Sequence, residues 1–256
     1  DIPMDIQRSE VDINTLKSFI NSEEHKEFEQ TIINHQIQEI VEVLNNSKRA
    51  VVLVGGGVRL SHAQKELESW LETYNIPVVY SLMGKDAISE EYNFNMGLIG
   101  SYGNRYGNLS LANSDLILVL GSRLDTRQTG TNLDTFARES KIIQVDIDQN
   151  ELGSKINIDI EVNSNILDFL LELKDEKLDI DNSKWLKTLS KYKNEFSSIV
   201  GIDKKIKVPN FIISEISKHL TDEIVAVDVG QHQMWTAQSL DIKKNQQVLF
   251  SGGMGA

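Results

Sequence analysis

A run of five consecutive aliphatic residues, Ala50–Val54, constrains the fold of this chain more than any other feature. A strand that is apolar at every position is covered on both faces, which is typical of parallel sheets. The apolar spacing predicts an amphipathic helix before the run, over residues 29–46, and a second helix after it with an N-cap at Ser61. The strand Ala50–Val54 and the helix after it are therefore predicted to begin a βαβ unit.

The alternation of strand and helix signals continues beyond this unit. Further strands are predicted at Pro77–Tyr80, Asp115–Leu120, Lys141–Val145 and Ile156–Ile160, and helices at Leu109–Ala112, Leu133–Ala137 and Ile166–Leu173. We expect an α/β domain with a doubly wound parallel sheet, Rossmann-like, over residues 28–176. A second α/β unit begins near residue 208, with helices predicted at Pro209–Leu220 and Gln233–Leu240 and strands at Glu223–Val227 and Val248–Phe250.

The composition disfavours several classes of function. The chain has 26 Lys and Arg against 38 Asp and Glu and a net charge of −12, so nucleic acid is not expected as a partner. It contains no cysteine, which excludes thiolate nucleophiles and Cys-ligated metals in this chain and agrees with a cytoplasmic location. No apolar run approaches the ~20 residues that span a bilayer, so no membrane association is expected.

Glycines and acidic residues follow the predicted strands, at the positions where parallel sheets bind ligands. These positions are Gly55–Gly57, Ser81–Gly84, Gly121–Asp125 and Asp146–Asp148. Glycine lets a ligand approach the backbone, and an acid after a later strand can accept hydrogen bonds from ribose hydroxyls. The pattern suits a nucleotide. It lacks the G-x-G-x-x-G fingerprint, and a turn that requires small residues explains the three glycines equally well.

Charged residues near two strand ends suggest polar or anionic ligands. Arg123, Asp125 and Arg127 follow a predicted buried strand, where charges require a polar ligand or a structural ion-pair network. Gln231 and His232 are predicted at a helix N-terminus, where donors can face an anionic group.

Two segments of the second unit, Asp228–Trp235 and Ser251–Ala256, resemble thiamine-diphosphate enzymes of the acetolactate synthase type. The start of the chain, Asp1–Gln7, resembles the end of that family's N-terminal pyrimidine-binding domain. Three further segments resemble its central domain: Ser81–Gly84, Gly121–Gly130 and Lys141–Asp148.

The resemblance implies a domain organisation in which this chain is an interior piece of a longer polypeptide. Residues 1–13 would be the tail of the pyrimidine-binding domain and residues 14–27 a linker. Residues 28–176 would form the central nucleotide- or FAD-binding domain, residues 177–207 a linker helix, and residues 208–256 the start of the diphosphate-binding domain.

The activity implied by the resemblance is thiamine-diphosphate-dependent decarboxylation and carboligation of a 2-oxo acid, with pyruvate as the expected donor. The enzyme would be a homo-oligomer, at least a dimer. The family's activating Glu and its Mg²⁺ ligands have no counterpart within this chain, so we assign no catalytic or metal-binding residue and expect this piece alone to be inactive. The alternative is a non-catalytic or NAD- or nucleotide-dependent α/β protein.

The resemblance also implies two sets of cofactor-binding residues. The set for thiamine diphosphate is Gly230, Gln231, His232, Gly252 and Gly253. The set for FAD is Gly56, Gly57, Leu82, Met83, Tyr102, Gly121, Arg123, Arg127, Asp146, Ile147 and Glu151. This chain departs from the family pattern at Thr126, where the family has Asp, and at Gln128, where it has Val. FAD, an ADP-like nucleotide and an empty pocket therefore all remain open.

Overall fold

A computed structural model describes residues 4–15, 34–197 and 208–252. The chain divides into two compact units, Asp1–Gln30 and Thr31–Ala256. In the first unit, the described residues form a short helix, α1 (Met4–Gln7), and a 3₁₀ turn, Ile13–Thr15. The predicted domain boundaries remain predictions.

The larger unit, Thr31–Ala256, is built on a parallel sheet of six strands. The strands are β1 (Ala50–Val54), β2 (Val78–Tyr80), β3 (Asn95–Leu98), β4 (Leu116–Leu120), β5 (Lys141–Asp146) and β6 (Ile160–Asn163). Their order across the sheet is β3-β2-β1-β4-β5-β6, and all five pairings are parallel. Every residue of β1 and β4 is buried, as their continuous aliphatic runs predict.

Helices cover both faces of this sheet. They are α2 (Asn34–Asn46), α3 (Gly56–Leu60), α4 (Gln64–Tyr74), α5 (Arg105–Ala112), α6 (Thr126–Thr129), α7 (Ile166–Lys174) and α8 (Ser183–Glu195). Apolar side chains of α2, α4 and α7 share one core cluster with Val52 and Val54, whereas those of α5 and α8 share another with Val51 and Leu53. The predicted doubly wound α/β fold is therefore confirmed.

A smaller parallel pair of strands follows, β7 (Val225–Val227) and β8 (Val248–Phe250). Its helices are α9 (Pro209–Ser217) and α10 (Gln231–Ser239). Val227, Ala237 and Val248 belong to the core cluster on the face of the large sheet that α2, α4 and α7 cover. Segment 208–252 thus packs directly on the six-stranded sheet.

Several predicted elements differ from the structure. Ser61 is not an N-cap: its hydroxyl donates to the carbonyl of Val58 at the end of α3, and α4 begins at Gln64. The predicted strand Ile156–Ile160 is wrong, because β6 starts only at Ile160. Ile156 and Ile158 alternate because both pack against the core from an irregular segment.

Other differences concern the ends of elements. The predicted helix Leu133–Ala137 is a 3₁₀ turn, Leu133–Thr135, and Ala137 has a φ of +49° that no right-handed helix contains. The helix predicted over 209–220 ends at Ser217, the strand predicted from residue 223 starts at Val225, and α10 starts two residues earlier than predicted. Within the described ranges, no helix has the length and hydropathy that a membrane span requires.

Candidate functional site

The order of the strands reverses between β1 and β4, which makes this pair the switch point of the sheet. Ligands of open parallel sheets bind in the crevice beyond the carboxyl ends of the strands at such a point. A cleft of about 420 Å³ opens there. The predicted FAD-site residues that line it are Gly56, Gly57, Met83, Gly121, Arg123, Asp146 and Ile147.

The glycines at the switch point are required by the close approach of two backbone segments. A Cβ on Gly55 would lie 2.1 Å from the carbonyl oxygen of Gly121, and one on Gly57 would lie 2.6 Å from the Cα of Gly121. Gly121 also has a φ of +58°. Packing therefore explains Gly55 and Gly57. A Cβ on Gly56 would meet only Met83, at 3.3 Å, so this glycine is under less constraint from the backbone.

A second cleft of about 420 Å³ adjoins the first. Both are lined by Ser81, Met83, Arg123, Asp125 and Gln128. The second cleft continues past Leu82, Tyr102 and Arg127, which belong to the predicted FAD set, to Met234 of α10 and Gly252. The two clefts together connect the carboxyl edge of the large sheet with segment 208–252.

The two arginines of the predicted site, Arg123 and Arg127, both lie at the clefts. The side chains of Arg123 and Arg127 are exposed at the clefts, and neither guanidinium forms a hydrogen bond or ion pair with any residue in the described ranges. Among the described residues, no ion-pair network accounts for them. They leave unneutralised positive charge at a cleft, which suits an anionic ligand.

Leu124 lies between Arg123 and Asp125 and has an unusual backbone conformation. Its φ is +52°, in the left-handed region, and its side chain is buried, with 1 % of its surface exposed. A left-handed conformation costs a branched residue about 1 kcal/mol or more. Burial of the Leu124 side chain in the core holds the backbone in this state, with Arg123 and Asp125 on either side of it bordering the clefts.

A polar network forms part of the wall between the two clefts. The hydroxyl of Ser122 donates to Gln128 Oε1 at 2.7 Å, and Gln128 Nε2 donates weakly to Asp125 Oδ2 at 3.4 Å. Asp125 also caps α6, since its Oδ1 accepts from the backbone N–H of Arg127. The FAD set implied by the resemblance does not include Ser122, Asp125 or Gln128. Asp125 was named from the sequence alone, among the charged residues that follow a buried strand, whereas the contact between Ser122 and Gln128 was not predicted.

Asp146 ends β5 and lines the first cleft as a buried carboxylate. Burial raises the pKa of Asp146 above its ordinary value, and a hydrogen bond from the backbone N–H of Asp148, at 3.0 Å, opposes part of that rise. A carboxylate with so little water around it is well suited to accept hydrogen bonds from ligand hydroxyls. Glu151, predicted to share this site, lines neither cleft and pairs with Lys155.

The predicted thiamine-diphosphate residues lie at the start of α10. Gln231 and His232 are the first two residues of the helix, and both are exposed. Gly230 has a φ of +155°, and a Cβ there would come within 2.7 Å of the His232 ring. Glycine at 230 therefore gives His232 its space. Gly252 borders the second cleft, and Gly253 lies outside the described residues.

Comparison with known proteins gives consistent matches. The family described as thiamine pyrophosphate enzyme, central domain, matches residues 37–173. Over the whole of this chain, the identity to a probable acetolactate synthase large subunit from Methanococcus aeolicus is 33 %, and the alignment covers 46 % of that relative. It is 35 % identical over its whole length to 41 % of the acetolactate synthase large subunit of Corynebacterium glutamicum. For the enzyme of that name from Cyanidium caldarium, identity is 36 % over 86 % of this chain and 38 % of the relative. The chain thus spans less than half the length of these relatives.

Proposed function

Because the chain belongs to the thiamine pyrophosphate enzymes, whose central domain it contains, we propose that this protein takes part in decarboxylation of a 2-oxo acid and transfer of the remaining unit to a second carbonyl. The observation that carries the proposal is the similarity of the chain to acetolactate synthase large subunits. Pyruvate is the proposed donor. When bound, thiamine diphosphate supplies an electron sink for the electron pair that remains when CO₂ leaves.

For the residues at the start of α10, we propose contact with the diphosphate of thiamine diphosphate. The helix has nine residues, and its first N–H groups lack partners within the helix. Gln231 and His232 add exposed side-chain donors at the same end. An anionic group is favoured there by the N–H groups and by the helix dipole together. Mg²⁺ would accompany the diphosphate through ligands outside this chain.

For the two clefts, we propose FAD as the ligand. Asp146 would accept from ribose hydroxyls, and Arg123 and Arg127 would face the phosphates. The two adjoining clefts, each of about 420 Å³, are lined by Asp146 in the first and by Met234 in the second, which supports a dinucleotide over ADP alone. In this proposal FAD binds to the central sheet and reaches α10. The alternative of an NAD-dependent protein is not favoured by the family to which the chain belongs.

Two further proposals follow from the family. We propose that the protein works as a homo-oligomer of at least two copies, since the family's thiamine diphosphate lies between domains of different subunits. We also propose a cytoplasmic location, which agrees with the absence of cysteine from the chain.

The test is CO₂ release from pyruvate by the complete gene product, with and without thiamine diphosphate and Mg²⁺. We expect release that depends on both, and the product then separates acetolactate from an aldehyde. Bound thiamine diphosphate without CO₂ release would refute pyruvate as the donor. No binding of thiamine diphosphate would refute the activity as a whole.

A pair of histidine variants extends the test to the start of α10. His232→Ala should raise the concentration of thiamine diphosphate needed for half-maximal activity, because a contact with the diphosphate is lost. His219→Ala is the matched control, since His219 is also exposed but follows the end of α9. Equal thiamine diphosphate requirements in the two variants would remove His232 from the proposed site.

A further inference from the structure

A buried lysine lies between the large sheet and α10. The side chain of Lys85 is 1 % exposed. Its Nζ lies 2.5 Å from Glu90 Oε1 and 2.7 Å from the hydroxyl oxygen of Tyr80. A buried charge is tolerated only when it is paired and hydrogen-bonded, as this one is. Tyr80, Lys85 and Glu90 are called the Lys85 cluster below.

The Lys85 cluster reaches the C-terminal end of α10 through Tyr80. The hydroxyl of Tyr80 lies 3.0 Å from Glu90 Oε1 and 3.2 Å from the carbonyl oxygen of Ala237, so its proton is shared between two acceptors. Ala237 lies in the last turn of α10, where carbonyl groups have no partner within the helix. Tyr80 therefore satisfies a helix end, and the positive charge of Lys85 beside it favours the negative end of the helix dipole.

The hydroxyl of Tyr80 remains a hydrogen-bond donor across the physiological pH range. Burial and the nearby carboxylate of Glu90 raise the pKa of Tyr80 well above its ordinary value, so the hydroxyl keeps its proton at any physiological pH. Other bonds also hold this end of α10. Asn104 Nδ2 donates to the carbonyl of Gln238, and Asn210 Nδ2 donates to the hydroxyl of Ser239, while the hydroxyl of Ser89 donates to the carbonyl of Ile242 just beyond the helix.

The opposite end of α10 carries Gln231 and His232. A helix moves as a rigid rod, and nine residues span about 13 Å. The position of its first residues therefore depends on how its last turn is held, as well as on the bond that Gln233 Nε2 donates to the carbonyl of Ser251 near the start of the helix. The residue after Tyr80, Ser81, lines both clefts, as does Met83. One stretch of chain therefore borders the clefts and also holds α10.

We propose that the hydrogen bond from Tyr80 to Ala237, supported by Lys85 and Glu90, positions α10 for binding of thiamine diphosphate. Tyr80 is a positioning residue: it acts through the helix and does not contact the cofactor. This inference rests on the proposed function, because it assigns α10 to the thiamine diphosphate site. The competing explanation is that the Lys85 cluster contributes only to the stability of the fold.

The test is Tyr80→Phe in the complete gene product, with Tyr92→Phe as the matched control. Tyr92 is also buried, and its hydroxyl also donates to backbone carbonyls, those of Leu71 and Ile76, neither of which belongs to α10. Both variants lose one buried hydroxyl and should lose similar stability. Only Tyr80→Phe should raise the thiamine diphosphate concentration for half-maximal activity, by about three- to tenfold, the usual worth of one hydrogen bond.

Hydrogen–deuterium exchange supplies a readout that needs no activity. Tyr80→Phe should speed exchange of the amides in 231–239, whereas Tyr92→Phe should not. Equal exchange of these amides in the two variants would overturn the inference, as would faster exchange without any change in the thiamine diphosphate requirement. If the wild-type protein proved not to use thiamine diphosphate, the proposed function would fail, and exchange alone would decide whether Tyr80 holds α10.

Discussion

Arg123 and Arg127 are exposed, and their guanidinium groups have no hydrogen-bond or ion-pair partner in the part of the chain that the structure describes, so removing them tests ligand binding apart from stability. We expect Arg123→Ala and Arg127→Ala to abolish the rise in thermal midpoint caused by FAD or ADP, while the midpoint without nucleotide stays within about 1 °C, since neither loses an internal contact. Arg138→Ala, at an exposed arginine that lines neither cleft, is the control. Unfolding of the Arg123 or Arg127 variant without nucleotide would instead assign these side chains a structural role.

Asp146 should show the opposite effects on stability and on binding. Because burial raises the pKa of Asp146 in the folded state, the folded protein holds a proton that the unfolded chain releases between pH 3.8 and the raised value. Stability therefore falls as the pH rises through this window, and the loss persists at neutral pH. Asp146→Asn should be more stable than the wild type at pH 7, and the difference should shrink toward pH 4.

The measurement for Asp146→Asn is the thermal midpoint across this pH range, with and without FAD. Because the variant carries an amide in place of the carboxylate, it should also lose most of the stabilisation by FAD. A variant less stable than the wild type at pH 7 would show that the hydrogen bond with Asp148 outweighs the cost of burying the charge.

At the scale of residues, the sequence predicted those side chains of the candidate site whose charge alone requires a partner. Charges directly after a buried strand predicted either a polar ligand or an ion-pair network for Arg123 and Arg127, and the family resemblance assigned both to the FAD set. The structure places both at the clefts. Gln128 was noted only as a departure from the family. Its contact with Ser122 depends on the helical turn α6, which has no apolar spacing from which it could be predicted.

At the scale of elements, the contact between the first turn of α3 and the end of β4 should be the most sensitive point of the sheet. Gly121→Ala combines a φ of +58° with a Cβ 2.6 Å from the Cα of Gly57. Gly130→Ala has a similar φ, +82°, but no atom within 4 Å of the new Cβ. Gly130→Ala should cost about 1–3 kcal/mol, because a φ of +82° with a ψ of 176° is a backbone conformation that residues with a Cβ rarely adopt.

Gly121→Ala should destabilise the protein by several kcal/mol more than Gly130→Ala, because the backbones of two elements must separate. Urea unfolding of both variants measures the difference. Equal losses would show that the two segments can move apart freely, and the close approach would then not explain the glycines at the switch point.

Apolar runs predicted the strands of the centre of the sheet better than those at its edges. β1 and β4 are buried on both faces and have no polar residue to obscure the pattern. β3 has the sequence Asn-Met-Gly-Leu, in which a buried Asn is satisfied locally: Asn95 Oδ1 accepts from the N–H of Gly97. This strand was missed. A local hydrogen bond of this kind leaves no periodic signal in the sequence.

At the scale of the molecule, Asp86 should determine whether segment 208–252 unfolds together with the large sheet. Its carboxylate is 2 % exposed and accepts from Arg59 at 2.9 Å and from the backbone N–H of Val248, in β8, at 3.1 Å. Asp86→Ala leaves both donors without this acceptor, at a cost of about 2–3 kcal/mol. The wild-type chain should show one calorimetric transition for residues 31–256, which form one compact unit.

In Asp86→Ala, the transition of residues 208–252 should separate from that of the sheet and move to lower temperature. Asp179→Ala, at an exposed aspartate away from β8, is the control and should keep a single transition. A single transition in Asp86→Ala would mean that the shared apolar core alone couples the two parts.

The docking of segment 208–252 also has a consequence for the order in which the protein matures on the ribosome. All strands of the large sheet precede Ile166, whereas the acceptor groups of Ala237 and Gln238 and the apolar side chains of β8 emerge later. At ~5–20 residues per second, the sheet waits several seconds with the Lys85 cluster and its apolar surroundings uncovered. Until α10 and β8 have been synthesised, apolar side chains of this face stay exposed, and slower synthesis between α8 and β8 would lengthen the time in which they can aggregate.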